Sequence, residues 1–508
     1  MDFSFFGTCE LAKRKCNMSF CRQKAIHMLA FFIALLLCAS VLSGCTTTND
    51  NYFPKVTQPK ATDSAASAGT TPAPSITQAV LSSGTTVLKV AAPFSNKTAQ
   101  YLAKLYTAKK SGDWTAQESG STVTLGRLDT VKPAFNVEII QTPSTGATQN
   151  TIKQWEESGF IPDIIYSDAL ASLKDNGAIL PLSEYAASNP LFLATRLYMP
   201  MLNSCSIDNE LYGIPYSAAA EILYVNMNLL NEAGVNAVPF DLDLATLTAV
   251  SESVSNMTAE GTPLAEQNFA FYKPSELIPF LPSSFSDTAD WFMFDGESFD
   301  FTASSFASAI NYLRTYVSAG YSVEGLSSQD QREAFTSLDP RLSTRVAMWA
   351  GSSAEVTRWS INHAYALSIA QIPSADYEKD SRLALTVYPL CISSESQFPQ
   401  LACDFASFIA LDEDAILLST RLESLDGLLP VVSSTTVWET VCLQQTFGEE
   451  LLLLQDKVPG AYYNPVTNHK SEYLLTQQLM NEYRTSLLDE TQDLQVLISS
   501  LTNARLTA

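Results

Sequence analysis

Apolar positions fall into three regimes along this chain. Met28–Leu42 is an uncharged apolar run of 15 residues, MLAFFIALLLCASVL. From Thr46 to Gly84 large apolar side chains almost vanish, and Thr, Ser, Ala, Pro and Gly dominate. Such a composition cannot bury enough surface to order itself. From Thr86 onward, short β-rich runs alternate with helical spacing. Val87–Ala92 (VLKVAA), Phe135–Gln141 (FNVEIIQ) and Pro162–Tyr166 (PDIIY) predict strands. Thr98–Lys110, with Leu102, Leu105 and Tyr106 on one face, and Thr151–Ser158 predict helices between them. Strand–helix alternation with apolar strands implies an α/β fold on a mostly parallel sheet covered on both faces. Ligands meet such sheets beyond the carboxyl ends of the strands, which draws attention to Ser167-Asp168.

The middle, roughly 225–345, reads as more helical and richer in Ser and aromatics. Residues 373–410 and 420–432 return to strand-like runs and a helix. The tail from Glu449 predicts helices broken by an exposed loop, Pro459 to Pro465. No repeat at a fixed period, G-x-G-x-x-G or P-loop pattern is present.

The first regime carries its own chemistry. Lys13, Arg14, Lys15, Arg22 and Lys24 precede the apolar run. About 20 residues are needed to span a bilayer, so a shorter run behind positive charge reads as a signal peptide. It ends in Leu42-Ser43-Gly44-Cys45, which resembles the lipobox of bacterial lipoproteins. That resemblance implies cleavage before Cys45 and a diacylglycerol on its sulfur; with two acyl chains the anchor is stable. Residues 1–44 are then the signal peptide and 45–85 the lipidated cysteine and tether. Met18 and Met28 are alternative starts. The folded part is expected outside the cytoplasm, on the outer face of the cytoplasmic membrane.

Charge narrows the partners. The chain has 53 acidic and 30 basic residues, a net charge of -23. A field of that sign repels phosphate backbones and excludes nucleic acid. Of three histidines, His363 and His469 are too isolated for a metal site, and no cofactor or metal is expected. Cys205, Cys391, Cys403 and Cys442 match no metal spacing; one disulfide or buried free thiols are both open.

Residues 208–235 read DNELYGIPYSAAAEILYVNMNLLNEAGV. Asn209-Glu210 predicts a turn, Gly213 a close backbone approach, Ile222–Val225 a strand, and Asn228–Ala233 a helix ending at Gly234. This run resembles the signature of the family 1 extracellular solute-binding proteins of ABC importers. Other pieces follow in that family's order: Pro162-Asp163-Ile164-Ile165, Asn176 to Leu182, Val346-Ala347-Met348-Trp349-Ala350-Gly351-Ser352-Ser353, and Gly427-Leu428-Leu429-Pro430-Val431.

The resemblance covers about residues 86 to 508. It implies a two-lobed periplasmic-binding-protein-like fold (type II), with solute trapped in the cleft by hinge closure. Lobe one would be 86–218 plus 372–430, and lobe two 219–371 plus 431–508. Crossings would fall near Ala218–Ala220, Ile372-Pro373 and Leu429-Pro430. Implied partners are a small-molecule solute and the permease transmembrane subunits, with the chain itself a monomer. Candidate ligand residues are Tyr166, Asp168, Tyr216, Ser217, Glu221, Trp291, Trp349, Gly351, Ser352, Ser353 and Tyr462, since sugar sites pair flat apolar faces with polar groups. A carbohydrate is the first expectation. A Gly-Ser-Ser loop is closer to the family's glycerol-phosphate and glycerophosphodiester binders, although Ala461 to Tyr473 contains no arginine. Two further readings differ in class. One is a glycosidase, but Asp241/Asp243 and Glu449/Glu450 do not suggest carboxylates facing each other across a bond. The other is a degenerate binding protein serving as a sensor or adhesin.

Overall fold

The computed structural model describes residues 86–507, apart from 115–124, 145, 194–195, 296–297, 336–338, 363–364, 376–381 and 424–426. The expected signal peptide, lipidated Cys45 and tether, and His363, lie outside the described residues.

The first units form for reasons visible in the sequence. β1 (Val87–Ala92) leads into helix Asn96–Ser111, capped by the Ser95 side chain accepting from Thr98 N and closed at Gly112 with φ 77°. β2 (Asn136–Gln141) lies parallel to β1. Helix Gln149–Ser158 starts two residues earlier than its spacing predicts, because Thr148 supplies the cap. β3 (Ile164–Tyr166) completes the set, parallel to β1 on its other side. A hairpin follows, β4 (Ser206–Ile207) against β5 (Glu210–Leu211), turned by Asp208 and Asn209 with φ of 55° and 62°. Asx residues tolerate this left-handed pair, as a two-residue hairpin requires.

β6 (Ile214–Asn226) is the axis of the molecule. Its first half, to Ala220, pairs with β10 (Ala384–Ile392); its second half, from Glu221, runs between β8 (Val346–Ser352) and β9 (Leu367–Gln371). β7 (Phe269–Phe271) flanks β8, and β11 (Tyr462–Tyr463) flanks β10. The sheet order is β2-β1-β3-β10-β6-β8-β7. The sheet is therefore mixed rather than mostly parallel. β10 runs antiparallel to β3 and β6, and β6 antiparallel to β8 and β9. Parallel pairing holds only where a helix carries the chain back, whereas β6 and β10 run between the two halves of the molecule.

Two hydrophobic clusters divide at β6. One holds β1–β3, Ala218–Ala220, β10 and the helices Pro399–Leu411, Glu413–Leu422 and Thr435–Cys442, and it extends across the crossing to Ile222, Tyr224, Trp349, Trp359 and Ile369. The other holds Leu223, Val225, residues 229–316, and the tail helices Lys470–Leu488 and Leu494–Thr507. Val432, Trp438, Val441, Leu451, Leu454, Val458 and Ala461 all pack in the first cluster. The expected boundary at Leu429-Pro430 lies within this cluster. Leu429 does not leave the first half: its N–H donates to Ala218 O at 2.7 Å, and it accepts from Ala218 N at 3.1 Å. The chain changes cluster at Ala461-Tyr462 instead. Tyr462 is buried beside β10, so 459–465 is not the exposed loop its Pro, Gly and Asn content predicts.

Two glycines make the close approaches possible. A Cβ on Gly213 would lie 2.6 Å from Pro389 Cβ. Gly427, at φ +81°, packs so tightly that a Cβ would meet Ser353 O at 1.8 Å.

Candidate functional site

A cavity of about 530 Å³ opens where β6 passes from one cluster to the other. Strand alternation explains the first residue in it: Ala220 and Ile222 are fully buried, and Glu221 between them lines the cavity. Gly351 at the end of β8 and Glu355 beyond it line the same wall, with Glu276 opposite. The tail helix adds Tyr473, Gln477, Met480, Asn481 and Arg484, one face at helical spacing.

Trp291 and Phe292 supply aromatic surface, held by unusual backbone. Phe292 and Met293 have φ of 52° and 63°, a left-handed conformation costing about 1–3 kcal/mol for each side-chain-bearing residue. Phe292 N donates to Pro279 O at 2.9 Å, and Met293 N to Asp290 O at 3.0 Å. Phe280 meets the Trp291 ring edge-on at 4.7 Å. Trp291 Nε1 is buried without an acceptor at hydrogen-bond geometry, and it lies close enough to the Tyr473 hydroxyl to draw that group's titration down.

Electrostatically the cavity is a cluster of carboxylates. Burial pushes Glu221 up to about 7, and the charges of Glu355 and Glu276 push the same way. Burial also carries Glu276 up to about 7, against the pull of Arg341, Lys273 and Arg484. Glu355 pairs with Arg358 at 2.7 Å. Tyr388, from β10, is held well above the usual phenol range by burial and by Glu221, Asp168 and Glu355. Asp168 of the first half therefore lies within electrostatic reach of the same group. The two cavity arginines are already engaged. Arg341 bonds Asp339 at 2.8 Å and stacks 4.7 Å from the Trp359 centroid. Arg484 Nε lies 3.6 Å from Glu324.

The predicted residues divide. Glu221, Trp291 and Gly351 line this cavity together. Asp168 is partly exposed at the end of β3. Trp349 is fully buried, its face stacked on Tyr224 at 5.5 Å and 14° and its edge against Trp359; the surface expected for a ligand is taken by core packing. Tyr166 is likewise buried, its hydroxyl bonded to Ser144 O at 2.6 Å and to Ser217 Oγ at 2.8 Å. Tyr216 and Ser217 border a separate small apolar void with Ile409 and Leu429. Ser352 Oγ accepts from Ala354 N, capping a turn. Ser353 is fully buried, and its hydroxyl donates to Gly427 O at 2.7 Å and accepts from Ala220 N at 3.0 Å. Tyr462 is buried and shares a 3.1 Å bond with Ser283.

Sequence reasoning missed Glu276, Arg341, Asn464 and the whole face of the tail helix. The 473, 477, 480, 481, 484 spacing was the available signal: an aromatic and polar stripe where a buried face should be apolar. A second cavity, also about 530 Å³, opens beside Trp155 and Gly177 and takes no residue from β6. All four cysteines among the described residues are free and buried.

The profile of the bacterial extracellular solute-binding protein family matches residues 129–436. The chain belongs to this family. Solved structures agree on the fold. A cyclic α-maltosyl-1,6-maltose binding protein from Arthrobacter globiformis shares 15% identity at a TM-score of 0.60, over 84% of this chain and 99% of that one. An ABC substrate-binding protein from Listeria monocytogenes in complex with cycloalternan shares 14% at 0.57, over 83% and 98%. A sugar-binding protein from Xanthomonas citri shares 14% at 0.58, over 83% and 97%. No curated protein matches the chain. As a member of an extracellular family of two-lobed binding proteins, this solute-binding protein works outside the cytoplasm. Among its described residues, no helix is long and apolar enough to cross a membrane.

Proposed function

We propose that this protein is the solute-capturing component of an ABC importer, anchored by lipid on Cys45 to the outer face of the cytoplasmic membrane. It takes a carbohydrate into the cavity at the β6 crossing and delivers it, as a monomer and without turnover, to the permease transmembrane subunits. One observation carries this reading. The cavity joins the aromatic surfaces of Trp291, Phe292 and Tyr473 to amides from Asn464, Gln477 and Asn481. Aromatic faces stack on sugar C–H surfaces, and amides both donate to and accept from hydroxyls. The sugars named for the similar structures above support the same class. We take the lobes as 86–220 with 383–461, and 221–372 with 462–507, dividing β6 where its partner changes from β10 to β8 and β9 and the tail at Ala461-Tyr462. Their closure about β6, the 372–383 connection and Ala461-Tyr462 would bring Asp168 and Tyr388 onto the bound solute.

The glycerophosphodiester reading has less support. A phosphate needs free donors, but both cavity arginines are engaged by carboxylates, and the hydroxyls of Ser352 and Ser353 are used internally. The carboxylates weighed for a glycosidase have structural duties. Asp243 caps helix Leu244–Ser255, Asp241 pairs with Lys457, and Glu449 and Glu450 sit in the first turn of helix Gly448–Leu453.

A thermal-shift screen of the fragment from about Ser83 tests the reading, using mono- and oligosaccharides, polyols, glycerol-3-phosphate and glycerophosphodiesters. A ligand at a hundred times its Kd adds about 2.7 kcal/mol of stability. A sugar should raise the melting temperature. A shift only with phosphates, or none with any probe, refutes the carbohydrate reading.

A further inference from the structure

The carbohydrate reading leaves open what else the solute carries, and the charges of the cavity bear on that. Three elements each deliver a carboxylate to it: Glu221 from β6, Glu276 from the turn Pro274–Leu277, and Glu355 from the turn after β8. Glu355 has its own cation, Arg358. Glu221 and Glu276 have no lysine, arginine or histidine nitrogen within 4.0 Å among the described residues. Arg341, Lys273 and Arg484 pull on Glu276 through their charges, whereas the charges that bear on Glu221 are those of Glu355 and Glu276. Arg341 is held by Asp339 and sandwiched against Trp359 and Tyr272, and Arg484 leans on Glu324. From the facing half, Asp168 adds a fourth carboxylate to the field at Tyr388. Beside them, Trp291 Nε1 is buried with no acceptor at bonding geometry.

We propose that the solute is an amino-bearing carbohydrate, whose protonated amine is held between Glu221 and Glu276 while a hydroxyl or ring oxygen accepts from Trp291. This rests on the carbohydrate reading above and narrows it. The physical ground is the cost of unpaired carboxylates in a half-buried wall. An ammonium at hydrogen-bond distance supplies the missing counter-charge in charge-assisted bonds. A neutral sugar would leave Glu221 without a counter-charge, and a phosphate would add to the repulsion.

The proposal has a proton signature. Glu221 faces Glu355, Glu276, Tyr388, Tyr462 and Tyr473, and Glu276 faces Arg341, Lys273, Glu324 and Arg484. Burial raises both carboxylates, with neighbouring acids adding to it at Glu221 and cations opposing it at Glu276, so both hold part of a proton near neutral pH when the cavity is empty. An incoming ammonium expels it.

The test uses the full chain in detergent, with calorimetric titration at pH 7. The probes are matched trios of gluco- and galacto-configured mono- and disaccharides, bearing a free amine, an N-acetyl group or a hydroxyl at the same carbon. The free amine should bind at least tenfold tighter than its two counterparts and release protons, read as a heat that varies with the buffer. Glu276→Gln and Glu221→Gln should each narrow the gap between the amine and its hydroxyl counterpart at least fivefold and reduce the proton release on amine binding; an unchanged gap overturns the proposal. Equal or tighter binding of the neutral counterparts overturns the amine while the carbohydrate reading stands. Binding of none of the sugars overturns both.

Discussion

Ser353 offers the sharpest test of how the crossing is built. Its hydroxyl is fully buried and holds three segments together: it accepts from Ala220 N at the end of the first half of β6, donates to Gly427 O, and belongs to the residue that opens the turn after β8. Ser353→Ala removes the oxygen and keeps the Cβ, so the close packing on Gly427 stays. What is left is a buried N–H and a buried C=O without this partner. Each unsatisfied group costs about 1–3 kcal/mol, and partial relaxation brings the expected sum to about 2–4 kcal/mol. Urea unfolding of the fragment from about Ser83, followed by tryptophan fluorescence and circular dichroism together, reads this directly. With an m-value of about 3 kcal/mol/M, the midpoint should fall by about 1 M with the slope preserved. Sugar affinity should stay within threefold of wild type, because Ser353 does not line the cavity. A midpoint shift below about 0.2 M, or lost affinity at unchanged stability, would refute the strut and return Ser353 to the ligand.

Other consequences follow from the same geometry. Glu221 and Glu276 bind a proton more tightly folded, near 7, than at their ordinary value of 4.5. Their stabilising contribution is full below about 4.5 and is lost as pH rises through about 7; Glu221→Gln should flatten that part of a melting-temperature profile and stabilise the empty protein at pH 8 by about 2 kcal/mol. Trp349→Ala should cost about 3–5 kcal/mol as a core truncation, whereas Trp291→Phe should keep the fold and weaken sugar binding severalfold in titration; the opposite pattern would exchange their roles. Burial pushes the thiols of Cys205, Cys403 and Cys442 up to about 12 and Cys391 higher still, so Ellman's reagent should find no reactive thiol in the folded fragment and four after denaturation.

Local elements were legible where pattern and cap agreed. β1 lies at the residues its apolar run marks, and helix Asn96–Ser111 brackets its predicted span by one or two residues because Ser95 and Gly112 are unambiguous signals. Strand direction was not legible. VLKVAA and ALTVYPLCI are both apolar runs, and nothing in them says that the first is returned by a helix while the second comes back from the other cluster. β6 was read from Ile222 because Ala218–Ala220 has weak β preference. Tertiary pairing overrides that: alanines are what fit between β10 and Leu429, where the bridge closes to 2.7 Å.

The site was harder to read for a related reason. The recognisable motifs, GIPYSAAAE, AMWAGSS and GLLPV, cluster at the crossing, and most of their residues are spent on it. Trp349 fills the core behind β8, Ser353 ties β6 to Gly427, and Gly427 admits Ser353. Only Glu221, Ala350 and Gly351 of those motifs face the cavity. The remaining walls come from Glu276, Trp291, Arg341 and residues 464–484, which no single motif contains. A crossing packed this closely constrains its residues tightly, as the 2.7 Å bond between Leu429 and Ala218 and the contact of Ser353 on Gly427 show, while a wall must only match one solute. Motif resemblance therefore locates the hinge more surely than the ligand, and the identity of the solute has to be read from charge and shape in the assembled cavity.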